Sequence, residues 1–145
     1  MRVETTEKPD TSKAFDGLTP ALVEAAQALI AQIQRRASRG VGVDDSQMPS
    51  YSKTYAAIRQ KRGRDPRVRN LTMSGSMLRS LHLVSVNQDR SQIVIEIGFA
   101  NAQDYKKALW NQRVSPWFGA SPADRKIIVK LLQERIGQAV QESKK

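Results

Sequence analysis

Seven basic side chains, Lys53, Arg59, Lys61, Arg62, Arg64, Arg67 and Arg69, fall in one short span opposed only by Asp65. Their chemistry is charge. Ammonium and guanidinium groups at this density neutralise phosphates and release the counterions that surround them. No aromatic residues alternate with these cations, so stacking on bases is not indicated. Neither a helix–turn–helix nor a zinc-finger pattern is present. A polyanion met here is held by charge and not by its sequence. The same residues also fit a solvated helix face that runs into a loop, and the sequence leaves both readings open.

Other reactive types are scattered. His82 is the only histidine and there is no cysteine, so thiolate metal sites, disulfides and cysteine nucleophiles are excluded. One histidine without a carboxylate cluster does not build a zinc site. Asp44 and Asp45 lack the ligand spacing of a calcium loop. Asp104 and Asp124 each stand where a helix starts, which is sufficient reason for a carboxylate. Ser74 and Ser76 lie outside the glycine–x–serine–x–glycine context of a nucleophile elbow, and no phosphate-cradling glycine loop is found. The expectation is a protein with no catalytic residues, no metal and no cofactor. Trp110, Pro116, Trp117 and Phe118 are a different signal. Two large aromatics between a proline and a glycine, in Val114–Gly119, either plug the core or anchor a subunit interface, where aromatics are favoured.

The elements that position these groups follow from periodicity. Leu22, Val23, Ala26, Leu29, Ile30 and Ile33 recur at helical spacing after Thr19-Pro20, a cap followed by a first-turn proline. Arg35, Arg36 and Arg39 lie near the end of that helix and Gly40 stops it. A shorter helix is expected over 50–62, with Tyr51, Tyr55 and Ile58 on one side and Gly63 as its stop. Ser74 or Ser76 then caps a single turn carrying Met77 and Leu78. Segments 81–87 and 92–99 are strands, and Ile93, Ile95, Ile97 and Phe99 alternate with Val94, Glu96 and Gly98. The turn-rich residues between the strands make them an antiparallel hairpin. Asn101 caps a helix that ends near Trp110. Ser121 and Pro122 open the last helix, whose apolar stripe is Ile127, Ile128, Leu131, Leu132, Ile136 and Val140.

This is an α+β pattern: a small antiparallel sheet, hairpin 81–99, packed with N-terminal and C-terminal helices. Residues 1–17 hold Phe15 as their one large apolar group and read as a flexible arm, with its ordering against a neighbouring subunit left open. Residues 18–145 form a single domain. A chain of 145 residues has room for one core and not two. The formal charge of +10 favours polyanionic partners. No apolar run approaches the roughly 20 residues of a membrane span, and the N-terminus lacks the apolar region of a secretory signal. Folding in a cytoplasm, away from membranes, is the expectation.

The order of these features resembles a family. Tyr51-Ser52-Lys53 to Gly63, followed by Leu71-Thr72-Met73-Ser74-Gly75-Ser76-Met77-Leu78-Arg79-Ser80, resembles the "leucine–x–x–serine/threonine–glycine–x–leucine–x–x–serine" signature of phage virion-morphogenesis proteins, which include tail-completion and neck proteins. As in that family, a β-hairpin follows, then an isoleucine–glycine strand end (Ile97-Gly98) and a tyrosine (Tyr105). Arg113 to Ser121 is similar to the "arginine–x–x–proline–aromatic–aromatic–glycine–x–serine" motif that opens the family's last helix. One departure lies at Lys106–Asn111, which reads as helix where many relatives carry a histidine and a glycine.

The resemblance implies an α+β subunit of a ring at the head–tail junction, tail-terminator-like, with DNA passing through the lumen. Its implied partners are further copies of itself, a hexamer first and a dodecamer second, and other phage neck and tail proteins. The basic span then lines the lumen or meets an acidic neighbouring ring. The implied location is the virion, reached from the host cytoplasm during assembly. The competing reading is a small basic nucleic-acid-binding protein.

Overall fold

Leu22, Ala25, Ala26, Leu29, Ile30, Ile33 and Ala37 repeat at three- and four-residue intervals, which gathers them on one side of a helix. The computed structural model describes residues 2–5, 18–71, 75–88 and 93–144. In it these side chains are the buried face of helix α1 (Leu18–Ser38). The helix starts at Leu18, one residue before the expected cap, and Val23 turns outward. Its end is set by Gly40 at φ 78°, a left-handed conformation that costs glycine no Cβ clash. A Cβ there would also stand 2.5 Å from Val68 Cγ1, so backbone angle and close packing both require glycine.

Three antiparallel strands, β1 (Arg2–Thr5), β2 (Leu81–Gln88) and β3 (Ile93–Phe99), form a sheet in the order β1-β3-β2. The hairpin of β2 and β3 is the expected one, and its turn lies outside the described residues. Leu81 opposes Phe99 and Leu83 opposes Ile97; a bulge between Leu83 and Ser85 then leaves Val84 exposed. Strand β1 corrects the expectation of an arm over the whole of 1–17, because Val3 pairs with Ile95 and Thr5 with Ile93 within the same chain. Apolar content is a poor guide to such a strand, since its pairing to an open sheet edge uses backbone groups that every residue type but proline offers in full. Residues 6–17, with Phe15, lie outside the described residues.

The other helices are α2 (Lys53–Lys61), α3 (Ser76–Arg79), α4 (Ala102–Val114) and α5 (Pro122–Ser143). Helix α1 lies between the sheet and α5, so its buried face is wide enough to serve both. Helix α4 packs on α3 and β3. It runs a turn past the expected end at Trp110 and stops at Ser115, whose extended backbone (φ −156°, ψ 119°) is what a following proline demands. Helix α3 is capped by Gly75 at φ 80°, with no side-chain cap. Ser76 does not cap; its hydroxyl donates to Asp104 Oδ1 at 2.8 Å. Ser74 lies outside the described residues. In α5, Ile128 is buried and Leu131, Leu132 and Ile136 half-buried, whereas Ile127 and Val140 reach solvent.

Two buried polar knots join these elements. Arg36 Nε donates to Asp124 Oδ2 at 3.1 Å, while its terminal nitrogens reach the carbonyls of Val41, Trp117 and Gly119. Asp124 in turn completes a capping box with Ser121 at the start of α5. Asp104 accepts from the Ser76 hydroxyl and, at 2.7 Å, from Asn101 Nδ2, with Lys107 Nζ 3.9 Å away. The Ser76 hydrogen bond, then those from Asn101 and the charge of Lys107, hold this carboxyl below its ordinary value of 3.8 against the opposing effect of burial.

Arg36→Leu is expected to cost about 3–5 kcal/mol in urea denaturation, because it strands the buried Asp124 carboxylate; adding Asp124→Asn should recover part of that loss. A group with a depressed folded pKa adds stability above its unfolded value and loses it as pH falls through the folded one. The Asp104 contribution should therefore be complete at neutral pH and disappear below the ordinary value of 3.8. Ser76→Ala should move the Asp104 carboxyl upward in an NMR titration and shrink that acid-sensitive share.

Candidate polyanion and assembly surfaces

Residues 49–70 leave the body of the fold as an arm, and the apolar core takes in Met48 and Leu71 but nothing between them. With Tyr51, Tyr55, Ile58 and Val68 as its only large apolar side chains, the arm needs another way to hold its shape. Ser52 caps α2 by accepting from the Tyr55 amide, and Gly63 at φ 71° ends the helix. Asp65 Oδ1 accepts from the Arg67 amide at 2.7 Å, which turns the chain back. Tyr51 fills the middle. The guanidinium carbons of Arg59 and Arg69 each stand 4.6 Å from its ring centroid, and Tyr55 meets it edge-on at 4.9 Å. Arg59 also donates to the carbonyl of Asp65 and to Asn70 Oδ1, and Arg69 to the carbonyls of Pro49 and Ser50. The Leu71 amide donates to the Tyr51 hydroxyl at 3.1 Å. Burial pushes the Tyr51 phenol up, against the pull of the nearby Arg59 and Arg69 charges.

This geometry divides the seven basic residues. Arg59 and Arg69, only 0% and 5% exposed, are internal parts of the arm and do not belong to its exposed cationic surface. Lys53, Lys61, Arg62, Arg64 and Arg67 are exposed, with Arg67 Nε 3.6 Å from Asp65. The expected side of Tyr51, Tyr55 and Ile58 is also corrected: Tyr51 precedes the helix and Ile58 points outward. The shortage of apolar residues in a segment that must close on itself was the signal that cations would be packed inside.

The aromatic loop divides in the same way. Trp117 is 0% exposed, so the interface role expected for it is corrected to a core one. Its indole Nε1 donates to the Ala108 carbonyl at 3.3 Å and its ring meets Phe99 at 6.2 Å. Phe118 packs on Phe99 at 5.3 Å and is half-buried, so it too belongs to the core side. The loop is fixed by Gln112 Oε1, which accepts from the amides of Trp117 and Phe118. Pro116 is exposed and its carbonyl accepts from the Val43 amide. Trp110 is different: it stands 61% exposed on α4 with Tyr105, Leu109 and Val114 also open to solvent. These three were missed because the helix carries apolar residues on both its inner and outer sides, which hides the outer set from a search for one stripe.

The remaining candidates have local employment. His82 is exposed with Nδ1 3.1 Å from the Ser80 carbonyl. Asp44 binds Ser46, and Asp45 accepts from the Ala123 amide at 2.9 Å. Glu96 accepts from the Ser85 hydroxyl. Among the described residues no group of three or more His, Asp or Glu is arranged to hold a metal ion, and no helix is long and apolar enough to cross a membrane.

Comparison with protein-family models, curated proteins and solved structures gives no match. The two tryptophans should behave oppositely. Trp117→Ala is expected to destabilise the monomer by about 3–5 kcal/mol. Trp110→Ala should leave the unfolding free energy in urea within about 0.5 kcal/mol of the parent.

Proposed function

We propose that this chain is a structural subunit of the head–tail junction of a tailed bacteriophage. Copies of it form a ring that completes the tail or connects it to the head, and DNA passes through the lumen. The observation that carries the reading is Trp110, 61% exposed on α4, with Tyr105, Leu109 and Val114 also open to solvent on the same helix. Large apolar side chains left in solvent along a helix suit a protein contact, and a tryptophan suits its anchor. The family resemblance supplies the setting, since its two motif segments, 71–80 and 113–121, flank this helix and its hairpin.

In this reading the mechanism is association and not chemistry. Burial of the α4 face drives contact between copies, in a hexamer by first preference and a dodecamer by second. The exposed Lys53, Lys61, Arg62, Arg64 and Arg67 set the polarity of the lumen or select an acidic neighbour among the neck and tail proteins. Contact with DNA is non-specific.

The exposed cations of the arm favour one other reading, a small nucleic-acid-binding protein. It requires tight DNA binding by the free subunit that weakens steeply with salt. The junction reading expects weak binding, because the charge acts only when repeated around a ring.

Both readings are separated by adding purified protein to phage extracts that lack it and examining the particles by electron microscopy. Joined heads and tails with the protein at the neck support the junction role; unchanged particles together with a DNA mobility shift at physiological salt support the other. Charge reversal at Arg62, Arg64 and Arg67 should leave the fold intact and reduce the yield of infectious particles. Normal yield from folded, ring-forming variants would remove the arm from the mechanism.

A further inference from the structure

The described fold buries five charged residues, Arg36, Arg59, Arg69, Asp104 and Asp124. Three have countercharges: Arg36 and Asp124 have each other, and Asp104 has Lys107 at 3.9 Å. Arg59 and Arg69 have none among the described residues. Their bonds go to neutral oxygens only, the carbonyls of Asp65, Pro49 and Ser50 and the side-chain amide of Asn70. In each guanidinium the Nη1 nitrogen is buried and without an acceptor. Both groups lie 4.6 Å from the same ring centroid, so the two like charges are at most twice that distance apart. The ring face attracts a cation but carries no net charge to balance two. The nearest sequence carboxylate, Asp65, is engaged with Arg67 through its amide and its guanidinium.

A buried cation without a partner is unfavourable, and the usual remedy is an anion with several acceptor oxygens. Guanidinium forks match tetrahedral oxyanions well. The surrounding surface, with Lys53, Lys61, Arg62 and Arg64 exposed, raises the local concentration of doubly charged ions above that of singly charged ones. We propose that the buried guanidiniums of Arg59 and Arg69 beside Tyr51 bind a phosphate-class oxyanion through the Nη1 groups that are left without acceptors. The same chemistry is offered by free phosphate and by a backbone phosphate of DNA. The inference stands apart from the junction reading, since the free chain suffices to test it.

The experiment is thermal unfolding of the full chain in sodium phosphate against sodium chloride at matched ionic strength, paired with NMR of the arginine Nε–Hε resonances. Phosphate should raise the unfolding midpoint by roughly 3 °C or more above chloride, and should shift the Arg59 and Arg69 resonances saturably. Arg59→Gln and Arg69→Gln should each abolish the difference, whereas Arg64→Gln and Arg67→Gln should keep it. The wild-type resonances serve even if a buried variant fails to fold. A short DNA duplex distinguishes the sources: if it shifts the same two resonances and phosphate competes it off, the ligand is a backbone phosphate; if only inorganic phosphate moves them, it is the free ion. Equal stabilisation by chloride, unsaturable shifts, or an effect that follows Arg64 and Arg67 would overturn the site.

Discussion

The fold turns on the side chain of Arg36. It comes from the last turn of α1, ion-pairs with Asp124 at the start of α5, and binds the carbonyls of Val41, Trp117 and Gly119 in the two loops between. A guanidinium has donors in a fixed plane, so one residue holds four chain segments in a set relation. Asp124 passes the constraint on, because its carboxylate and amide also fix Ser121. The orientation of α5 and the path of the loop that delivers Trp117 into the core follow from this knot. Apolar packing alone is less directional and would tolerate α5 sliding on α1.

The body and the arm are built on different physics. In the body, α1 is covered on one side by the sheet and on the other by α5, and burial of aliphatic side chains provides the stability. In the arm the same task falls to a tyrosine held by two arginines, whose methylene stems pack while their heads bind carbonyls. Such an interior keeps the arm's outside free for charge. It also leaves Arg59 and Arg69 without countercharges among the described residues.

Helix α4 connects these surfaces to the core. Its inner side carries Asp104 and Ala108, one bound to Ser76 and the other accepting from the Trp117 indole. Its outer side carries Trp110 and neighbours in solvent. An exposed apolar face on a helix pinned so firmly has little freedom to reorganise, which lowers the entropic cost of docking a partner on it. The proposed assembly role depends on this rigidity as much as on the apolar area.

Much of the fold was legible in the residues themselves. Local rules decided Gly40 and Gly63 as helix ends, Asn101 and Ser121 as caps, the hairpin of 81–99, and the faces of α1 and α5 apart from Val23, Ile127 and Val140, because each depends on spacing or on one residue's backbone preference. Only the tertiary structure decided which of seven similar cations face water, since Arg59 and Arg69 differ from Arg62 and Arg64 in what surrounds them and not in type. The same holds for Trp110 and Trp117, which the residues alone grouped together and which the fold divides between surface and core. Strand β1 also needed the fold, because its partner lies some ninety residues away and its pairing uses backbone groups that every sequence possesses. Sequence determined the helices, the hairpin and the sign of the charge; long-range packing, which alone sets burial, decided which side chains remained available for function.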